Sequence, residues 1–224
     1  MISKETFSKI ASLSGMKPWQ QEKHYFQSLM LQILCEHQLV FKGGTYLWLL
    51  HGLPRFSEDL DFTALGEIPD DLGKQVSEGL ELFGAENKLK MISNDQRSHA
   101  FRISAKGPLY TSDMDLCHVY VEISKRERPT LPTLPCALDF AQYSLPTKTL
   151  QGLSLEEAGA EKVRAILTRD KARDLFDLHY LIKRKKIRYR EDLISGKMLY
   201  YQKGFSPCPP EKNCPFCNDM IWDN

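Results

Sequence analysis

The sequence predicts an α/β (α+β) protein in which a mixed sheet with flanking helices is followed by a helical C-terminal part. Segments with period-2 alternation, such as residues 59–62 and 115–124, are interspersed with segments of helical periodicity, such as residues 70–83. Strands and helices mixed in this order are typical of helices packed on a sheet. Beyond a proline-containing stretch at residues 128–146, every remaining periodic segment is helical.

The elements follow from local signals in chain order. The first 37 residues predict two helices separated at Lys17-Pro18, because proline is tolerated in the first turn of a helix but not farther along it. A short apolar strand then enters a turn that requires glycine, Gly43-Gly44. Strands are expected at residues 39–41, 59–62, 88–92, 100–104 and 115–124, and helices at 46–50, 70–83, 154–169, 172–186 and 190–203.

Four prolines between residues 128 and 146 predict a long irregular crossing, since proline interrupts both helices and sheets. We therefore expect a sheet domain with the N-terminal helices at residues 1–127. A crossing segment and a helical substrate-binding part would occupy residues 128–206, and a separate cysteine-rich tail residues 207–224.

Composition indicates an ordinary globular protein. The 224 residues are 42% hydrophobic and 26% charged, with a formal net charge of +1, which excludes disordered and collagen-like classes. No apolar run approaches the roughly 18 residues of a membrane span, and the first residues lack the apolar core of a signal peptide. We expect a soluble cytoplasmic protein without a membrane partner.

Charge is distributed unevenly along the chain. Residues 55–86 carry two basic and nine acidic side chains, whereas residues 161–190 carry eleven basic and four acidic ones. Adjoining solvated faces that attract each other would explain this asymmetry. A cation site in the acidic part and a polyanion-binding surface in the basic part would explain it equally, and we carry both interpretations forward.

Asp59 and Asp61 form the first candidate site. Side chains two residues apart on a strand share a face, with Cα atoms about 6.5–7 Å apart, so both carboxylates can converge on a hard cation. An acidic edge strand would show the same Asp-x-Asp pattern. The preceding Gly43, Gly44 and Thr45 favour a site, because backbone amides at a glycine turn that opens a helix can hold phosphates beside the metal.

Two composite motifs carry a resemblance to a known family. Residues 42–45 (Lys-Gly-Gly-Thr) and 55–62 (Arg-Phe-Ser-Glu-Asp-Leu-Asp-Phe) resemble the first motif of the AbiEii-type nucleotidyltransferase toxins, a branch of the polymerase-beta-like superfamily. Residues 156–165 and 169–178 are similar to the family's lysine-containing and Arg-Asp-x-x-Asp helical motifs. The matches span residues 41–181.

The resemblance implies a reaction and a set of residues for it. The reaction would be Mg²⁺-dependent transfer of a nucleoside monophosphate from an NTP to a hydroxyl of RNA, such as the 3′ end of tRNA, by the toxin of a toxin–antitoxin pair. The implied metal ligands are Asp59, Asp61 and Glu122, and the catalytic set adds Lys162, Asp174 and Asp177. The NTP-binding residues would be Lys42, Gly43, Gly44, Thr45, Arg55, Ser57, Arg169 and Arg173.

Glu122 is the favoured third acid because alternation places it opposite Val121 and Ile123, and therefore away from the core. Asp115, near the start of the same segment, is the competing candidate.

The tail contains the candidate Zn²⁺ ligands Cys208, Cys214 and Cys217, one short of a tetrahedral site. The fourth ligand would be Cys136, a histidine or Asp219. Reduced thiols in a disordered terminus or redox chemistry are the alternatives.

Two other functions remain open at this point. One is a non-catalytic module on the same fold that binds nucleic acid or a partner protein. The other is a kinase or phosphohydrolase that uses the same metal site.

Overall fold

The computed structural model describes residues 1–188 and 190–199 of the chain, which form seven α-helices and seven strands. The helices are α1 (Lys4–Ser14), α2 (Pro18–Leu34), α3 (Gly43–His51), α4 (Leu72–Leu82), α5 (Leu155–Thr168), α6 (Ala172–Lys183) and α7 (Glu191–Leu199). The strands are β1 (Leu39–Lys42), β2 (Leu60–Ala64), β3 (Asn87–Asn94), β4 (Ser98–Ala105), β5 (Cys117–Ser124), β6 (Leu134–Leu138) and β7 (Lys148–Gly152).

The strands form one sheet in the order β3-β4-β5-β2-β1-β7-β6. β2 is antiparallel to β1 and parallel to β5, and β1 is parallel to β7. The outer pairs β3–β4, β4–β5 and β6–β7 are antiparallel. The sheet is therefore mixed, and the predicted fold class is confirmed.

Alternation along the central strands separates the core from the site. Leu60 and Phe62 of β2 are fully buried, while Asp61 between them is only partly buried. On β5, Val121 and Ile123 are fully buried and flank the partly exposed Glu122. The period of two in a strand therefore buries the apolar side chains in the core and directs the acids to the opposite face.

The stretch at residues 128–146 is more regular than the sequence suggested. The prediction of a wholly irregular crossing is wrong for residues 134–138, which form β6 at the edge of the sheet. Pro135 is tolerated there because an edge strand leaves one side of its backbone unpaired. β6 and β7 extend the same sheet, so residues 128–152 contribute to it, and the division after residue 127 stays a prediction.

The helical predictions differ from the structure mainly at their ends. The expected helix break at Lys17-Pro18 is present, with proline in the first turn of α2. The Ser154 hydroxyl caps α5 by accepting a hydrogen bond from the Glu157 amide. The Glu157 carboxylate accepts hydrogen bonds from the amides of Thr130 and Leu131, at 3.0 Å. Across the portion of the chain with assigned structure, every helix is too short or too polar to span a bilayer.

Candidate active site

A cavity of about 520 Å³ lies between the polar face of the central strands and helix α5. One wall carries acids from β2 and β5, and the opposite wall carries cations from α5 and α6. Of the residues expected at the site, eleven line this cavity: Lys42, Gly43, Gly44, Arg55, Ser57, Asp59, Asp61, Glu122, Lys162, Arg169 and Arg173.

The acidic wall depends on the pairing of two parallel strands. Asp61 on β2 is in register with Glu122 on β5, and Asp59 immediately precedes β2. Burial, together with the charges of Asp59 and Glu122, raises the pKa of Asp61 to about 6 against the opposing effect of Lys42 and Lys162. The three carboxylates therefore repel one another at a site that lacks full compensation from the protein.

Asp59 has a similar but more accessible environment. Burial raises its pKa, and the adjacent Glu58 adds to this effect, while Lys23, Arg173 and Lys171 lower it. These cations come from α2 on one side and from the start of α6 on the other. Asp59 thus lies where the cavity meets surrounding basic side chains.

Glycine is required at positions 43 and 44 because side chains of the cavity wall lie too close to leave room for a Cβ atom. Gly43 has a φ of +75°, and a Cβ atom there would lie 2.2 Å from Oδ2 of Asp61. A Cβ on Gly44 would lie 2.6 Å from Nη2 of Arg55 and 2.8 Å from the Ser57 hydroxyl oxygen. The two glycines start α3, so amides of this helix N-terminus lie beside the carboxylates, as expected for a phosphate-binding turn.

Thr45 lies behind the cavity and does not line it. Its side chain is fully buried, and its hydroxyl donates a hydrogen bond to the backbone carbonyl of Asp59. Thr45 therefore links the glycine turn to the start of β2, a role that differs from the phosphate contact expected from the sequence.

Asp174 and Asp177 also lie behind the cavity wall, where they hold Lys162. The Lys162 ammonium is 2.7 Å from Asp177 and 3.0 Å from Asp174, and both carboxylates are fully buried. Although burial opposes the effect, hydrogen bonds from Arg169 and Lys162 lower the pKa of Asp174. The helical acids therefore position the cations of the cavity and do not face it.

Two arginines complete this buried network. Arg55 donates two hydrogen bonds of 2.6 Å to the carboxylate of Asp177, and Arg169 donates to Asp174 at 2.8 and 3.0 Å. Such bidentate pairs are strong and directional. The loop before β2 is thereby fixed to α6, and Lys162 is fixed between the two helices.

A second ion-pair network was not apparent from the sequence. Glu161 lines the cavity and accepts from the Lys42 ammonium at 3.0 Å, while the buried Lys197 of α7 lies 3.6 Å from Glu161 and 2.6 Å from Glu157. Burial alone would raise the pKa of Glu161, but Lys42, Lys197 and Arg164 lower it to about 2. Glu161 lies beside Lys162 in the helical motif at residues 156–165 that resembles the family. No sequence pattern pointed to Lys197.

The competing third acid lies elsewhere. Asp115 is exposed at a 3₁₀ turn, where its carboxylate accepts hydrogen bonds from Thr111 and Ser112, and it does not line the cavity. The candidate zinc ligands Cys208, Cys214 and Cys217 lie outside the described residues.

Carboxylates are suitable ligands for a divalent cation, but the acids of the described residues do not form a complete metal site by themselves. Within residues 1–188 and 190–199, no three His, Cys, Asp or Glu side chains are arranged to hold a metal ion by themselves. The assignment of Asp59, Asp61 and Glu122 as joint ligands of one metal ion therefore stays a prediction. Mg²⁺ is commonly held by one or two carboxylates together with substrate phosphates, and Asp59 and Asp61 beside the glycine turn meet that requirement.

A mixed sheet that carries acids on adjacent strands, next to a glycine turn and opposite a wall of cations, is the arrangement that metal-assisted phosphoryl or nucleotidyl transfer requires. The family model described as the AbiEii nucleotidyltransferase toxin of type IV toxin–antitoxin systems matches residues 28–216. This chain belongs to that family and is a nucleotidyltransferase. Family members generally use a divalent metal, and membership implies a nucleotide substrate and an antitoxin partner.

Solved structures share the fold. JHP933 from Helicobacter pylori superimposes with a TM-score of 0.64 at 23% identity, covering 80% of this chain and 73% of its own. MenT4, a nucleotidyltransferase toxin from Mycobacterium tuberculosis H37Rv, superimposes with a TM-score of 0.63 at 24% identity, covering 89% of this chain and 70% of its own. No curated protein matches the sequence significantly.

Proposed function

We propose that this protein transfers a nucleoside monophosphate from an NTP to a hydroxyl group of RNA, with Mg²⁺ as the metal and pyrophosphate as the leaving group. The observation that carries the proposal is the division of charge in the cavity. Its acidic wall suits a divalent cation, and its basic wall suits the phosphates of a nucleotide.

The acidic wall supports the choice of Mg²⁺. Asp59 and Asp61 would hold it together with the phosphates, where it would neutralise charge on the triphosphate. Burial and mutual repulsion already disfavour the ionised form of Asp61, so a cation there relieves an existing cost.

The basic wall and the glycine turn would bind the triphosphate. Lys162, Arg169 and Arg173 face the cavity, and the amides of Gly43 and Gly44 lie at the N-terminus of α3. Because Lys162 is already held by two buried aspartates, its position does not need to change when the nucleotide binds.

Glu122 would act as the general base. In the proposed step the acceptor oxygen attacks the α-phosphorus, the bond to the pyrophosphate oxygen breaks, and the hydroxyl proton passes to a carboxylate. Glu122 is in register with Asp61, and its side chain is 38% exposed with a 3.3 Å contact to Arg126. This exposure would leave it accessible to an incoming acceptor.

An RNA acceptor, such as the 3′ end of tRNA, is supported by charge. Residues 161–190 carry a net charge of +7, and Arg173 and Lys171 from this segment are exposed next to Asp59. Clustered cations on one side of an active site favour a polyanionic acceptor.

Position-specific labels test the reaction. The protein is incubated with Mg²⁺ and bulk tRNA, in parallel with NTPs labelled at the α- or the γ-phosphate. We expect label in RNA only from the α-position, together with release of pyrophosphate. Transfer of the γ-label, or release of inorganic phosphate, would instead identify a kinase or phosphohydrolase.

The matched control is Asp61→Asn, which preserves the size of the side chain but removes its charge. We expect this variant to bind RNA normally without labelling it. If neither protein labels RNA, and Asp61→Asn inhibits cell growth as the unmodified protein does, the protein acts as a non-catalytic binding module.

A further inference from the structure

An aromatic cluster that the proposed reaction does not use includes a residue of the loop whose neighbours line the cavity. Trp19 lies in the first turn of α2 and is 46% exposed. Its ring meets Phe56 edge to face, with ring centroids 5.3 Å apart, and Phe56 in turn packs on Trp48 at 4.8 Å. Phe56 lies between Arg55 and Ser57, which both line the cavity. The exposed indole therefore packs on a residue whose two chain neighbours line the active site.

The same face of α2 approaches the acidic wall. Lys23 follows Trp19 by four residues, so both side chains lie on one face of the helix. The Lys23 ammonium pairs with Glu58, the residue immediately before Asp59. Trp19 thus lies one helical turn before the lysine that pairs with the neighbour of Asp59.

Exposed cations lie on the other side of Asp59. Lys171 and Arg173, at the start of α6, are both exposed, and Arg173 also lines the cavity. A flat aromatic surface beside basic side chains is the combination by which proteins bind single-stranded nucleic acid, because bases stack on the ring and phosphates contact the cations.

We propose that Trp19, supported by Phe56, is a stacking platform for an unpaired base at the 3′ end of the RNA acceptor, and that Lys171 binds the adjoining phosphate. The platform would place the terminal hydroxyl near Asp59. This inference rests on the proposed nucleotidyl transfer to RNA and specifies the acceptor as one with an unpaired end.

The platform is a feature of this chain that its family membership does not supply. The family match begins at residue 28, whereas Trp19 and Lys23 precede it. The charge of the neighbouring surface argues for RNA as the occupant, although a protein partner would also cover an exposed indole.

Binding of two RNAs to the full-length protein tests the proposal. One is a duplex with a three-nucleotide 3′ overhang, and the other is the same duplex with a blunt end. Fluorescence anisotropy measures both Kd values without NTP, and steady-state transfer gives separate KM values for RNA and NTP. The variants are Trp19→Ala, Trp19→Phe, Phe56→Leu and, as a control, Leu82→Ala, which alters a 91% exposed side chain on α4.

We expect Trp19→Ala to raise the Kd and KM for the overhang RNA about tenfold, as the loss of one stacked base would do. Its blunt-end Kd and its KM for NTP should remain within twofold of the unmodified protein. Trp19→Phe should retain most of the affinity, Phe56→Leu should weaken overhang binding less than Trp19→Ala, and Leu82→Ala should change nothing.

Unchanged binding of the overhang RNA by Trp19→Ala would refute the platform. If this variant lost only the binding of the cognate antitoxin, the platform would also be refuted and the surface would be a protein interface. Failure of the proposed function is distinguishable from either outcome. Without nucleotidyl transfer, Trp19-dependent binding of the overhang would still support the platform. With transfer intact in Trp19→Ala and an unchanged KM for RNA, the platform alone would be refuted.

Discussion

The acids of the two cavity walls differ in whether the protein supplies them with cationic partners. On the helical wall, Lys162 is held between Asp174 and Asp177, and Arg55 and Arg169 complete the pairing of these buried acids. On the sheet wall, Asp59 and Asp61 lie close to another carboxylate, and burial raises the pKa of both. The acids of the helical wall are therefore paired within the protein, whereas under the proposed function a cation from outside would complete the sheet wall.

This difference separates stability from activity. Removing an acid from the helical wall breaks buried ion pairs and leaves their cations with fewer partners, which destabilises the fold. Removing an acid from the sheet wall relieves repulsion and eliminates a ligand, so activity falls while stability is preserved. Substitutions of the helical-wall acids should therefore lower stability, whereas substitutions of the sheet-wall acids should lower activity and preserve stability.

The largest effect should come from Asp61→Asn. We expect the rate of nucleotidyl transfer to fall by at least about 10²–10³-fold, because the metal loses a charged ligand. At pH 7.5 without added metal, the thermal midpoint should equal or exceed that of the unmodified protein. Activity assays and thermal denaturation measure the two quantities, and a large loss of stability would contradict the comparison.

Asp177→Asn should show the converse effect on stability. It removes the carboxylate that pairs with Arg55 and Lys162, and breaking such a buried pair costs about 3–5 kcal/mol. Because Arg55 is 20% exposed, we expect the lower end of this range. Urea denaturation gives the change in the free energy of unfolding, with the exposed Glu78→Gln on α4 as the control.

The pH dependence of stability sharpens the comparison further. Asp61 has a pKa of about 6 in the folded protein against 3.8 ordinarily, so it binds a proton more tightly when folded. Its contribution to stability therefore falls as pH rises from about 4 to about 6, by no more than about 3 kcal/mol. In metal-free buffer, Asp61→Asn should gain stability over the unmodified protein across this interval, and a constant difference would contradict the assignment.

The smallest effect should come from Glu161→Gln. It weakens the hold on the Lys42 ammonium, so we expect KM for NTP to change several-fold while kcat changes less. The folded pKa of Glu161 is about 2, below its ordinary 4.5, so its charge stabilises the protein above about pH 4.5. That contribution is lost as pH falls towards 2, and acid unfolding of the variant should therefore be less steep in this range.

Local pattern was sufficient for the parts of the site that lie on strands. Alternation on β5 selected Glu122, and its register with Asp61 follows once the two strands pair. The Gly43-Gly44 pair also marked the turn in the sequence. The structure shows why glycine is needed there, because Gly43 has a positive φ and lies in close contact with Asp61.

The remaining features depend on tertiary contacts that sequence spacing does not reveal. Asp177 is four residues from Arg173, yet it pairs with Arg55, which is 122 residues distant. Lys197 approaches Glu157 and Glu161 only because α7 packs on α5. Thr45 was expected at the phosphates, and only the structure shows its hydroxyl bonded to the backbone of Asp59.

Binding of Mn²⁺ tests most directly whether the sheet wall is completed by a cation from outside. Electron paramagnetic resonance measures free Mn²⁺ in the presence of a non-hydrolysable NTP, with Mg²⁺ as competitor. We predict binding to the unmodified protein, at least tenfold weaker binding to Asp61→Asn, and nearly unchanged binding to the Glu78→Gln control. Equal binding by Asp61→Asn and the unmodified protein would contradict this account.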